Sequence, residues 1–335
     1  KEYRRQRQMC IRDRVKVVID TAVATTQQHQ AIIVQKTNLD TGASIWSRKW
    51  GASGATYYES YIFKNTYGGA ETYPSVKIAG SEYSIFVAAL QSAGGVLLLK
   101  INEDNSATGM PNGHAIRTIT TSADLIQQVC GIQTLDADTV YGLFTTRNTT
   151  SGVNSLLLVK YTISGTGATA SVAWARKLSK STGTRLHLVS MSDTISTDGT
   201  NVYIVGNAVG TAWPSKNSTY TITYETTMEI VLAKYDANGG LLWVRNATSS
   251  RQGISIPNTN DTVSIFLETD FDSLGVIDPT KTYVYVVANS RDNTDITINF
   301  ILKYDATGTL IWQRELHDYG AIRLAIVNGV AVRDT

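Results

Sequence analysis

The sequence predicts an all-β chain assembled from tandem four-stranded antiparallel units. Three observations predict it. A twelve-residue string is written almost twice: Lys234 to Arg245 reads KYDANGGLLWVR, and Lys303 to Arg314, 69 residues later, reads KYDATGTLIWQR. Short apolar runs recur with both alternating faces greasy. In NVYIVGN, Val202 and Ile204 point one way and Tyr203 and Val205 the other, the pattern of strands covered on both sides. Polar turns carrying Asp, Asn and Gly separate the runs and supply the positive φ angles that tight hairpins need.

The units align on a lysine that closes an apolar run, at Lys36, Lys100, Lys160, Lys234 and Lys303, with spacings of 64, 60, 74 and 69 residues. The first unit, about 15–50, holds VKVVIDTAVA, AIIVQK and WSR, and starts at its second strand. The second, about 74–120, holds SVKIAG, YSIFVAAL and VLLLK, with AIR at Ala115 to Arg117 where the others have Trp-x-Arg. The third, about 124–178, holds VCGIQTL, TVYGLFTT, SLLLVK and WAR. SADLIQQV, around Leu125, comes nearest to helical spacing and is read as one short turn at most. The fourth, about 186–247, holds LHLVSMS, NVYIVGNA, IVLAK and WVR, with Asp198 and Gly199 marking the turn between its first two strands. The fifth, about 263–316, holds SIFLETD, TYVYVVAN, FILK and WQR, and a terminal strand is expected at about 321–333.

Residues i and i+2 of a strand share a face, so in each Trp-x-Arg the indole can lie on the adjacent unit with the arginine stem beside it. Trp46, Trp174, Trp243 and Trp312 are therefore expected to be structural repeat residues. Four-stranded units buried on both faces describe the blades of a β-propeller. About five blades are expected, as a fragment of a larger ring of about six to eight; a five-bladed ring closed by the terminal strand is the alternative. LAKYDANGGLLWVR resembles the bacterial repeats called seven-bladed-propeller-like. It is also similar to the tryptophan-docking repeat of quinoprotein dehydrogenase-like propellers, in which Asp, Gly and Trp follow in order. Asp40, Gly42 and Trp46 come closest to that pattern, with shorter spacing. The resemblance covers about 15–335 and implies fold far more than function. Repeats of this style resemble parts of bacterial surface proteins and phage structural proteins.

Residues 1–14 do not fit the rest. They hold six Lys/Arg against two Asp/Glu, and the eleven residues from Arg4 to Arg14 match a translated transposon-type sequencing adaptor. The segment is read as foreign to the natural protein and excluded from the fold. The chain's formal charge of +2 then becomes −2, which removes the basic footprint expected of a nucleic-acid binder. Cys10 leaves with it, and Cys130, in the apolar run QQVCGIQ, reads as a small core residue rather than a nucleophile. Charged residues make up 17% of the chain, Gly, Ser and Thr are plentiful, and no membrane-length apolar run occurs. That composition suits an extracellular, cell-surface or virion protein with no membrane span.

Three long connections carry the candidate binding residues: 51–73, 208–227 and 248–262. The first holds Tyr57, Tyr58 and Tyr61, and the second holds Trp213 and Tyr220, side chains suited to a glycan or protein partner. Glu268, Asp270 and Asp272 alternate like calcium ligands, but Ser273 stands where a calcium loop wants Gly, and an ordinary acidic turn is the simpler reading. His29, His114, His187 and His317 show no metal spacing, and no nucleotide or nucleophile motif appears. The expected function is a non-catalytic binding scaffold with no cofactor. The alternative, which the resemblance implies, is a quinoprotein-like dehydrogenase with a calcium cage and a catalytic Asp; no cluster in the sequence matches those.

Overall fold

A computed structural model describes residues 14–20, 29–38, 41–50, 65–67, 70–72, 76–80, 84–90, 96–102, 124–136, 138–152, 154–163, 170–179, 194–209, 228–247, 263–271, 277–291 and 297–317. Among them there is strand and turn and no helix. Six sheets form. The first is β1 (Arg14–Asp20), β2 (His29–Thr37) and β3 (Ser44–Trp50); a two-stranded ribbon follows, β4 (Asn65–Tyr67) and β5 (Ala70–Thr72). The next is β6 (Val76–Gly80), β7 (Ser84–Leu90) and β8 (Val96–Asn102). Three sheets have four strands: β9 (Asp124–Thr134) to β12, by way of β10 (Thr139–Asn148) and β11 (Asn154–Ile163), ending at β12 (Ala170–Ser179). Then come β13 (Ile195–Thr197), β14 (Val202–Val209), β15 (Met228–Tyr235) and β16 (Leu241–Ala247). Last are β17 (Val263–Phe271), β18 (Ile277–Arg291), β19 (Thr297–Tyr304) and β20 (Leu310–His317).

Every sheet follows chain order, each strand pairing with the next, and the strands of β1–β3, β4–β5, β6–β8, β13–β16 and β17–β20 pair antiparallel. The fold is all-β among the described residues, and three of its sheets are sequential four-stranded meanders of the kind that serve as β-propeller blades. The chain divides into two compact units, residues 1–144 with 160–173, and residues 145–159 with 174–335.

In the first unit β6 and β9 lie side by side, and the Thr134 hydroxyl donates to the Gly80 carbonyl (2.8 Å). Lys100 at the end of β8 pairs with Asp138 in the β9–β10 turn (2.7 Å). β9 is a continuous strand across the segment whose spacing suggested a helical turn. Its pairing with β10 and its packing beside β6 and β7 override the weak local signal, burying Ile126, Val129 and Cys130.

In the second unit β13 and β14 pack against β17. Tyr203, Val205, Leu232 and Trp243 of one sheet meet Val263, Ile265, Val284 and Leu302 of the next in a single apolar core. Val202 and Ile204 are buried as well, so the sheet is covered on both sides, as the double-faced pattern predicts. A fully buried Val, Leu or Ile contributes about 1.5–3 kcal/mol. The first strand of this sheet is described at Ile195–Thr197; the apolar run LHLVSMS before it lies outside the described residues, as do the AIR segment, the terminal strand at 321–333 and residues 1–13.

The registers fix where connections leave. Val209 stands opposite Met228, and Ile230 opposite Ala247. Segments 210–227 and 248–262 therefore start from one rim of that sheet, and the Asp236–Gly240 turn occupies the other rim. The first sheet repeats this, with Ile32 opposite Trp50 and the Asn38–Gly42 turn at the far rim.

Candidate functional site

The duplicated string builds both halves of a joint between neighbouring sheets. Its first half is a turn. After the lysine the ladder shifts register, between Lys234 and Tyr235 and again between Lys303 and Tyr304, and the first sheet does so between Lys36 and Thr37. The following aspartate then organises the chain. Asp236 Oδ1 accepts the backbone N–H of Asn238 (2.8 Å) and of Gly240 (2.7 Å); Asp305 Oδ1 accepts those of Thr307 and Thr309, both at 2.9 Å. Burial raises the Asp305 carboxyl, but a hydrogen bond from the Thr307 hydroxyl (2.7 Å), followed by the backbone N–H bonds, outweighs it and holds the group below its ordinary value. Gly239 and Gly308 close the turns at φ of 77° and 81°, a region only glycine enters freely.

The second half is the Trp-x-Arg. The Trp174 indole N–H donates to the Ala237 carbonyl (2.9 Å) on the turn of the next sheet. Arg176 donates from Nε to the Gly239 carbonyl and from a terminal nitrogen to the Asn238 carbonyl (3.1 Å). One sheet further on the set recurs: Trp243 to Ala306 (3.1 Å), and Arg245 to Gly308 (2.7 Å) and Thr307 (3.1 Å). In both, the other arginine nitrogen bonds the carbonyl just before it, Ala175 or Val244, and the guanidinium lies 5.4 or 5.5 Å from its own indole centroid. A Cβ on Gly239 would fall 2.8 Å from Trp174, and one on Gly308 2.9 Å from Trp243. Glycine is thus required twice over, for its φ and because the indole lies against the bare backbone.

A third component is a lateral row across each sheet. Tyr203 pairs with Lys234, and Lys234 with Trp243; Tyr285 pairs with Lys303, and Lys303 with Trp312. Tyrosine and tryptophan meet edge to face at 6.1 Å and 6.0 Å. The lysine sits over the tyrosine, at 5.1 Å for Lys234 and 4.9 Å for Lys303. An acidic residue takes the phenol: Tyr203 donates to Asp198 (2.9 Å) and Tyr285 to Glu268. Burial and then Asp198 push the Tyr203 phenol well above its ordinary range. The sequence reading found the lysine and the tryptophan of this row but not the tyrosine. Its signal was available: Tyr141, Tyr203 and Tyr285 each sit in the second strand of a four-stranded sheet, and Lys160 lies over Tyr141 at 5.7 Å.

The structure places the sequence-derived residues unequally. Trp174 and Trp243 are in the two joints above. Trp46 is half-buried in β3, its indole N–H buried without a described acceptor, and the connection after β8 lies outside the described residues. Trp312 is half-buried on β20, and Arg314 beside it is exposed. Trp213, Tyr220, Tyr57, Tyr58 and Tyr61 lie outside the described residues. Glu268 is engaged with Tyr285 and Lys303 (3.1 Å), Asp270 is exposed, and Asp272 lies outside the described residues. Among the described residues no group of three or more His, Cys, Asp or Glu forms a metal cage. Cys130 is buried in β9.

No known protein-family profile matches the chain, and no curated protein matches it. Among solved structures it is similar to a point mutant of a Synechocystis apocarotenoid oxygenase, at 9% identity and a TM-score of 0.44 over 91% of this chain. The chain spans 58% of that protein's length.

Proposed function

We propose that this chain is a non-catalytic scaffold that binds a glycan or a protein partner, presented at a cell surface or on a virion. The observation that supports the reading is a division of labour between the two rims of a sheet. At one rim the repeated Trp, Arg, Asp and Gly are taken up in joining sheet to sheet. From the opposite rim issue long, unrepeated connections, and those at 51–73 and 208–227 hold the aromatic candidates. Repeated residues suit a common structural task, and unrepeated aromatic loops on a rigid sheet suit recognition.

The experiment compares two tryptophans. The Trp213→Ala protein is expected to lose retention on a glycan array or by an isolated protein partner while its thermal melt stays that of the parent. Trp243→Ala is expected to lower the melting temperature. A Trp213→Ala variant that melts as low as Trp243→Ala, or that binds like the parent, removes Trp213 from any site and the reading with it.

A further inference from the structure

The two copies of the repeated turn differ at one chemically active place. The earlier reads Asp-Ala-Asn-Gly and the later Asp-Ala-Thr-Gly, so Asn238 stands where Thr307 stands. The turn forms with either residue. In both copies its backbone N–H bonds the aspartate Oδ1, and its carbonyl accepts the arginine of the preceding sheet. Asn238 is exposed, while Gly239 beside it is buried.

An asparagine followed by glycine is prone to attack by its own backbone. The glycine nitrogen adds to the asparagine Cγ, the Cγ–Nδ2 bond breaks, and the proton of the glycine nitrogen leaves with the departing ammonia. Water opens the resulting five-membered imide at either carbonyl, giving aspartate or isoaspartate, with no oxidant or reductant. A side chain on the second residue would crowd that attack, and glycine has none. The reaction needs the glycine N–H released from its acceptor and the peptide between the pair free to turn towards the side chain.

The joint withholds both. The Gly239 N–H is bonded to the Asp236 carbonyl (3.0 Å), and the Asn238 carbonyl accepts Arg176 (3.1 Å), so the one peptide unit that must move is tied at its two ends. Arg176 Nε holds the next carbonyl, that of Gly239. Gly239 itself sits at a φ of 77° against the Trp174 indole, which a Cβ there would meet at 2.8 Å. Arg176 and Trp174 belong to the preceding sheet, so the chemistry of Asn238 is governed from across the joint.

We propose that Asn238 is a latent self-modification site, unreactive while the Trp174–Arg176 edge is seated and converted to isoaspartate once that edge lifts. Conversion is a one-way step for the joint. The imide leaves residue 239 without an N–H for Asp236. Isoaspartate then lengthens the backbone by a methylene and adds a carboxylate beside Asp236, so the glycine no longer falls under the indole. The joint one sheet further on, built on Thr307 and Gly308, has no side-chain amide to lose and stays reversible.

Incubation at mildly alkaline pH followed by tryptic mapping tests this, because Tyr235–Arg245 is released as one peptide in which Asn238 is the only side-chain amide. Its mass reports conversion, and an isoaspartate methyltransferase reports the isomer. The folded parent is expected to convert more slowly than the same protein in concentrated guanidinium chloride. Arg176→Ala, which loses charge-assisted bonds to the Asn238 and Gly239 carbonyls, is expected to convert at about ten times the folded parent's rate. Arg245→Ala weakens the other joint and is expected to convert at the parent's rate, which separates local opening from global unfolding. If melts show Arg176→Ala to be unfolded, Arg176→Lys, which keeps the charge and loses the fork, takes its place. Prolonged incubation is expected to lower the parent's melting temperature in step with the converted fraction and to leave that of Asn238→Thr unchanged. A parent that converts as fast folded as unfolded overturns the proposal. So does an Arg176 variant no faster than the parent, or an Arg245→Ala protein as fast as the Arg176 variant. A converted parent that melts like the fresh protein overturns the one-way step.

Discussion

The sheets β13–β16 and β17–β20 carry nearly the same string on their outer two strands, yet the side chains that string supplies behave differently. In the earlier sheet Trp243 is 6% exposed and Lys234 reaches forward to the next turn. In the later one Trp312 is half-buried, and Lys303 is held by Glu268. Their charge states diverge with their surroundings. Burial pulls the Lys234 ammonium below its ordinary value, against the pull of Asp198 and Asp305. Burial also acts on Lys303, but the hydrogen bonds it donates to Tyr285 and Glu268 outweigh it and hold that lysine above its ordinary value. One repeat therefore encodes a turn, a donor edge and a lysine with two alternative partners.

A large effect is expected from filling the space between glycine and indole. Gly308→Ala puts a side chain at positive φ, at a cost of about 1–2 kcal/mol, and drives a methyl to 2.9 Å from Trp243. Overpacking adds about 1–3 kcal/mol, so a loss near 3 kcal/mol is expected. Gly42→Ala has the same backbone problem and open space beside it, so only the backbone term of about 1–2 kcal/mol remains. Urea unfolding midpoints measure both, and equal losses would break the distinction between an occupied turn and an open one.

The pair of tryptophans brackets that effect, one above it and one below. Removing a buried Trp243 is expected to cost about 3–5 kcal/mol, since it fills the core between two sheets and bonds the Ala306 carbonyl. Trp312→Ala removes a contact with Tyr285 and a stacked arginine, and about 1 kcal/mol is expected. A Trp312→Ala loss as large as that of Trp243→Ala would mean the last edge is already covered.

The joint was half legible in the sequence. Trp-x-Arg at i, i+2 with an Asp-Gly turn before it told of sheet-to-sheet packing, because strand alternation fixes the face on which both side chains sit. That the indole lands on the preceding sheet's successor at its glycine was not readable, since the contact joins Trp174 to a residue 65 positions away across two sheets. The Tyr203–Lys234–Trp243 row was missed for a related reason. Its members sit on three strands, and only the register brings them abreast. Asp198 was legible as a turn residue and not as the acceptor of a buried phenol. It does both, accepting the Thr200 and Asn201 backbone N–H groups as well as the Tyr203 hydroxyl. Glu268 misled in the opposite sense: alternating carboxylates suggested an ion, and the neighbours that decide its role, Tyr285 and Lys303, come from strands 17 and 35 residues further on.

The smallest expected effect sharpens the contrast between the two acidic partners. A hydrogen bond from Tyr285 is the leading reason that the Glu268 carboxyl lies below its ordinary value of 4.5; burial opposes it, and Lys303 adds to it. A carboxyl depressed by folding contributes stability that is complete above its unfolded value and is lost as pH falls through the lower folded value. Glu268→Gln is therefore expected to be less stable than the parent at neutral pH, with the gap shrinking as pH drops below about 4.5. Because the Glu268 side chain is 32% exposed, solvent screens the pair, and the neutral-pH gap is expected to stay within about 1 kcal/mol. Denaturant titrations at pH 7 and at pH 3 measure it. A gap that grows toward low pH would reverse the sign of the linkage and remove Glu268 as the lysine's resting partner.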